Sequence, residues 1–187
     1  MEALTTPIPG LLALRPPRAV DERGFFSETF RRSWMEERGL PGDWVQDNHS
    51  LSRRRGTVRG LHFQVPPRAQ SKLVRVVAGR VFDVVVDLRR SRPTFGRHFA
   101  LELRAADGGQ LLVPAGCAHG FCTLEDDTEV LYKVSDYYSP DHDRGLRWDD
   151  PALGIPWPVA ADEAVLSDRD RQHPVLADLP DYFAEEA

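Results

Sequence analysis

The chain is poor in cysteine, has no long apolar run and carries no excess of positive charge. No apolar stretch approaches the roughly 18 residues of a membrane-spanning helix, so no membrane partner is expected. Lys and Arg number 24 against 29 Asp and Glu, and the net charge of −5 argues against a nucleic-acid partner, which would meet a basic face. The one basic run, Arg53-Arg54-Arg55 between Ser52 and Gly56, reads as a solvated turn rather than a phosphate cradle. The two cysteines, Cys117 and Cys122, lie five apart in a hydrophobic stretch and lack the C-x2-C spacing usual for metal. They read as buried free thiols, which fits a reducing compartment. The first residues lack a basic segment followed by an apolar core, so no signal peptide is expected and the cytoplasm is the expected location. Repeats, low-complexity tracts and linkers are also missing, which predicts one domain over residues 1–187.

What the chain does have is punctuation. Fifteen prolines and 14 glycines are spread along its whole length and cut it into short segments, the pattern of an all-β domain. One early segment looks helical: Ser27-Glu28-Thr29-Phe30 leads into Trp34, and Gly39 and Pro41 end it. After it the hydrophobic period becomes two. Strands are predicted over 57–64, 73–77, 81–88, 99–103, 110–113, 120–124 and 129–134. In the third of these Phe82, Val84, Val86 and Leu88 share one face, and Asp83 and Asp87 lie on the other. Such spacing suggests a sandwich or barrel, with short helices in the more polar tail from Ser167 to Phe183.

Two segments resemble cupin motifs. Gly60-x-His62-x-Gln64, with Gln70 and Gly79, resembles the first, and Gly109-x4-Pro114-x-Gly116-x2-His119 the second. Metal cupins place His and Glu ligands at these positions. Here they are His62, Gln64, Gln70 and His119, two imidazoles and two neutral amides, a poor set for a divalent cation. No metal is expected, and His62 is left able to act as a base near neutral pH.

At Arg59-Gly60-Leu61-His62-Phe63-Gln64 the chain is identified as resembling the dTDP-4-dehydrorhamnose 3,5-epimerase family. The likeness runs from about Thr5 to Leu176. Its blocks include Asp21-Glu22-Arg23-Gly24-x-Phe26-x-Glu28, Gln46-Asp47-Asn48-x-Ser50 and Gln70-Ser71-Lys72-Leu73-Val74-Arg75-Val76. Further blocks are Pro114-x-Gly116-x-Ala118-His119-Gly120-Phe121, Tyr132-Lys133, Tyr137-Tyr138 and Leu166-Ser167-x-x-Asp170. The resemblance implies a cupin-type double-stranded β-helix (jelly roll) with a few short peripheral helices. It implies a homodimer made by strand exchange, a dTDP-4-keto-6-deoxyglucose substrate and no cofactor.

Inverting a carbon beside a ketone needs a base on one face, an acid on the other and an electrophile for the enolate oxygen. The resemblance assigns these to His62, Tyr132 and Lys72, with Asp170 pairing with His62 and orienting it, the task of the acid in a hydrolase triad. Local sequence alone favours a helix-start role for Asp170 in Ser167-x-x-Asp170, and the two roles are compatible. The resemblance places Arg23 and Arg59 at diphosphate-binding positions, and Glu28, Gln46, Asn48, His119, Tyr138, Asp143 and Arg169 among the other substrate-binding residues. Arg169 stands where relatives often have Lys, and Phe63 and His98 where Tyr and Trp are common. The rivals are an epimerase acting at one carbon only, a sugar 3,4-ketoisomerase and a metal-dependent cupin oxygenase.

Overall fold

Alternation along the strand Arg80–Asp87 (β8) sets the layering of the molecule, a computed structural model that describes residues 1–184. The last three residues of the expected domain lie outside the described residues. Both faces of β8 are buried. Val81 and Val85 point between two sheets, among Val74, Val76, Leu111, Val113 and Phe121. Val84 and Val86 point the other way and lie under the tail, against Leu153, Leu179 and Phe183. The face carrying Asp83 and Asp87 is therefore the inner one. A fully buried carboxylate must find a partner. Asp87 bonds Arg89 and Thr94, and Asp83 bonds His119.

Two antiparallel sheets face each other across this interior. One has β13 (Asp143–Gly145), β6 (Val58–Gln64), β11 (Cys117–Thr123), β8 and β9 (His98–Arg104) in that spatial order. The other runs β1 (Glu2–Thr5), β2 (Leu12–Arg15), β10 (Gln110–Val113), β7 (Lys72–Ala78), β12 (Thr128–Val134), β5 (Gln46–Ser52). Neighbours are seldom consecutive in sequence, as in a jelly roll, and the expected all-β, cupin-type fold is what forms. The predicted strands all appear, with ends moved by up to three residues. The first two strands, β5 and the three-residue β13 were not anticipated. They are short or polar: Gln46–Ser52 contains no apolar residue except Leu51. Cys117 and Cys122 are free and buried, and burial pushes their thiols up to about 12 and about 11.

The predicted early helix is corrected. Ser27 ends a strand, β4 (Gly24–Ser27), paired with β3 (Arg18–Asp21) as a separate ribbon. Helix α1 is only Arg32–Glu36. Phe30 and Trp34 pack with Met35 on the outer face of the larger sheet, against Leu14, Leu73 and Leu112. Their spacing thus reported a shared face, but none of the chain from Ser27 to Arg31 is helical. The ribbon leaves Val20 and Phe26 each 76% exposed and Phe25 60% exposed, although apolar side chains of this size are usually covered.

Candidate active site

A close approach of two backbones fixes the position of His62. Gly60 in β6 lies so near Gly120 in β11 that a Cβ on Gly60 would sit 2.6 Å from the Gly120 Cα. The register between the strands shifts there, between His119 and Phe121. Beyond the shift His62 stands directly opposite His119, and both imidazoles reach the space between the sheets.

Asp170 meets His62 from the tail. It opens a short 3-10 turn, Asp170–Gln172, whose first residue donates its backbone N–H to the Ser167 hydroxyl at 3.1 Å. The helix-start role and the pairing role are therefore both filled. Asp170 Oδ1 lies 2.5 Å from His62 Nε2. Burial opposes ionisation of Asp170, but the neighbouring imidazoles of His173 and His62 outweigh it and hold the carboxyl well below the usual carboxylate range. An ionised carboxylate only accepts, so Nε2 carries the proton and Nδ1 of His62 has a free lone pair. Desolvation lowers the His62 pKa, and Asp170 works against that shift.

Two cavities of about 320 and 280 Å³ share His62, Lys72, Tyr132 and Arg169. Lys72 is buried, and its Nζ donates to the His62 carbonyl at 3.0 Å. Loss of hydration brings its pKa down to about 8. Tyr132 belongs to the larger sheet and His62 to the smaller, so the two face each other across the cavity. Burial raises the Tyr132 pKa, so the phenol keeps its proton at neutral pH.

Gln46, Asn48, Tyr138, Asp143 and Arg169 line the first cavity, and Arg59, His119, Asp170 and again Arg169 the second. Arg169 pairs with Asp143 at 2.6 Å. Arg59 is tied to the neighbouring strand through Ser52 and Leu51. The two remaining site residues inferred from sequence, Arg23 and Glu28, line neither cavity. They belong to the ribbon and the segment after it, where each makes an exposed ion pair, Arg23 with Asp21 and Glu28 with Arg31.

Several contributors were not found by sequence reasoning. Asp83 accepts from His119 Nε2 at 2.9 and 3.0 Å and orients the second imidazole. A lone acid inside the run from Val81 to Val86 was its available signal. His173 packs behind Asp170, and nothing in its local sequence marks it. Ser50 and Phe121 also line the second cavity.

The amides at the cupin ligand positions are used elsewhere. Gln64 donates to the carbonyls of Arg68 and Tyr137 and accepts from the Ser139 N–H, and Gln70 donates to the Asp136 carbonyl. Both pin the loop that carries Tyr138. Among the described residues, His62, Asp170 and His173 are the one group whose potential metal-binding atoms all lie within 4.8 Å of one another. The Asp170 oxygen is already taken by a hydrogen bond to His62, with the His173 ring packed beside it, so the group is not an open ligand set.

The chemistry available is proton removal on one side of a flat substrate, proton delivery on the other and a cation between them. Comparison with known proteins identifies the family. Residues 5–178 match the family model described as dTDP-4-dehydrorhamnose 3,5-epimerase. A protein of that name from Sinorhizobium fredii is 52% identical, over 91% of this chain and 87% of its own length. The crystal structure of the Bacillus anthracis enzyme of that name, with TDP and PPi bound, is similar at a TM-score of 0.90 and 47% identity, covering 93% of this chain and 98% of that one. The Legionella pneumophila dTDP-6-deoxy-D-glucose-3,5-epimerase, in complex with dTDP-4-keto-L-rhamnose, has a TM-score of 0.90 at 39% identity, covering 96% and 94%. With its fold, its facing imidazole and phenol and these likenesses, the chain belongs to the dTDP-4-dehydrorhamnose 3,5-epimerase family.

Proposed function

We propose that this chain epimerises dTDP-4-dehydro-6-deoxy-D-glucose at C3 and C5 to dTDP-4-dehydro-L-rhamnose, in the cytoplasm and without a cofactor. The observation that carries the reading is the placement of His62 and Tyr132 on opposite sheets across one cavity, with the Lys72 ammonium beside them. The ketone at C4 acidifies the hydrogens on both neighbouring carbons and is itself the electron sink. His62 Nδ1 removes one of these hydrogens as a proton. The electron pair moves onto the C4 oxygen, where Lys72 Nζ stabilises the negative charge. Tyr132 then protonates the same carbon from the other side. The phenolate regains its proton from water, His62 releases the one it took, and the cycle repeats at the second carbon. Arg59 and Arg169 hold the diphosphate, for which guanidinium forks are suited. Gln46, Asn48, His119, Tyr138 and Asp143 position the sugar and nucleotide.

The test follows C3 and C5 by NMR in deuterated water with purified protein and dTDP-4-dehydro-6-deoxy-D-glucose. Deuterium entry with inversion is expected at both carbons. Inversion at one carbon alone would transfer the chain to the mono-epimerases. No exchange at either would end the proton-relay reading for this substrate.

Arg23 and Glu28 enter the scheme through a second copy. The exposed Val20, Phe25 and Phe26 call for cover, and a ribbon exchanged between two subunits supplies it while placing the partner subunit's Arg23 and the partner subunit's Glu28 beside the substrate. Sedimentation is expected to give a dimer, and Phe26→Asp a monomer of low activity. A wild-type monomer with full activity would exclude the exchange.

A further inference from the structure

Asp170 is shared. Its Oδ1 is 2.5 Å from His62 Nε2 and 3.4 Å from His173 Nε2. The His173 side chain is only 9% exposed, and its buried Nε2 makes no hydrogen bond of good geometry, the 3.4 Å approach to Asp170 included. The ring stands edge-on to His62, with centroids 5.6 Å apart and planes at 81°. It fits because Gly145, the residue paired with His62 across β13 and β6, has no side chain: a Cβ there would lie 2.2 Å from the His173 ring. The 3-10 turn places residue 173 three positions after Asp170, so both side chains project from one side of the turn. His173 also lines a separate cavity behind β13, with Arg144, Gln172 and Tyr182, so its ring borders a second opening besides the substrate space.

From this geometry we propose that His173 is a positioning residue that limits the basicity of His62 by competing for Asp170. A carboxylate with one imidazole partner pulls hard on the proton of that imidazole. A second imidazole nitrogen 3.4 Å from the same oxygen, without a well-aligned hydrogen bond, still draws on its negative charge and weakens the pull. The result is a base that remains unprotonated, and ready, in more of the neutral range. Other groups face His62 too: Lys72 from β7, His119 with Asp83 from β11 and β8, Tyr132 from β12 and Asp143 with Arg169 from β13 and the tail. Around His173 stand Asp170 and His62, with Asp143, Asp168, Arg169 and Arg144 along the rear cavity. All of these remain when His173 is replaced, so a difference between variants isolates its share.

The inference rests on the reading of His62 as the base, and the experiment separates the two. His62 is titrated directly by NMR in the wild type, in His173→Leu and in His173→Gln, and the acid limb of kcat/KM is recorded for each. Removing the competitor makes His62 more basic. In His173→Leu the His62 pKa is expected to rise by about 0.5–1 unit, and the acid limb to move to higher pH by the same amount. Gln restores an N–H donor near Asp170 and is expected to bring both back toward the wild type. A merely structural role would lower stability in both variants and move neither value. An unchanged or lowered His62 pKa in His173→Leu overturns the proposal. If the pKa moves and the acid limb does not follow, it is the base assignment that fails. Should His173→Leu not fold, His173→Phe keeps a ring without an N–H and carries the same test: a raised His62 pKa supports the proposal, and an unchanged or lowered one overturns it.

Discussion

Replacing His62 by Ala is expected to slow inversion at both C3 and C5 by about 10³-fold, within the span that a positioned general base contributes. Deuterium entry from solvent should fall with it, because proton removal starts both half-reactions. The substitution also strips Asp170 of its nearer partner, and Asp170 is 4% exposed. Loss of a partner to a buried charged group costs about 1–3 kcal/mol or more, so the Ala variant also melts earlier. His62→Gln separates the effects. Its amide nitrogen reaches the place of Nε2 and can still donate to Asp170 but cannot take a proton from carbon, so stability should recover while activity does not. Epimerisation by His62→Gln at close to the wild-type rate would show that the base is another group, and His119, the imidazole directly opposite, would be the next to replace.

Tyr132→Phe is expected to separate exchange from inversion. The phenyl ring still fills the wall between the two cavities, and His62, Asp170 and Lys72 are untouched. The enolate therefore still forms, and His62, having exchanged its proton with solvent, returns a deuteron to the face it came from. Deuterium should enter within about tenfold of the native rate while inversion falls by about 10²–10³-fold, the contribution of a positioned acid. Inversion at the native rate would move the acid elsewhere, with Tyr138 the obvious candidate because it lines the same cavity. Loss of exchange together with inversion would mean that Tyr132 orients the sugar rather than protonating it.

The central strands were legible because alternation is strong where one face must be apolar, as in Val81 to Val86, and because Gly and Pro mark the ends. The same alternation did not say which face was inside. Asp83 and Asp87 share the inner face with Val81 and Val85, and only the tail, folding over Val84 and Val86, makes the outer face apolar. Strand β5 was illegible for a related reason: Gln46, Asn48 and Ser50 alternate with other polar residues, since one side of the strand serves a polar cavity. The site was legible through resemblance more than through local physics. A lysine at the start of an apolar strand and a histidine before Pro66 and Pro67 have commonplace explanations. What local sequence could not carry was the pairing of distant residues. His62 and Asp170 lie 108 positions apart, and His119 and Asp83 lie 36 apart. His173 is close to Asp170 in the chain, but its place depends on the missing side chain of Gly145, far from it in sequence on strand β13.

The double burial of β8 bears on how this protein can change over generations. Its outer valines can drift if the tail drifts with them, since the contact is apolar matter against apolar matter and volume is all that must be conserved. Its inner aspartates have no such latitude. Asp83 steadies an imidazole in the cavity, and Asp87 holds Arg89 and Thr94 at the strand's end. Two neighbouring positions on one strand are thus governed by different pressures, one by bulk and the other by charge. A substitution at Val84 is felt as heat sensitivity. One at Asp83 is expected to show first as a sluggish enzyme, because the His119 imidazole loses its partner.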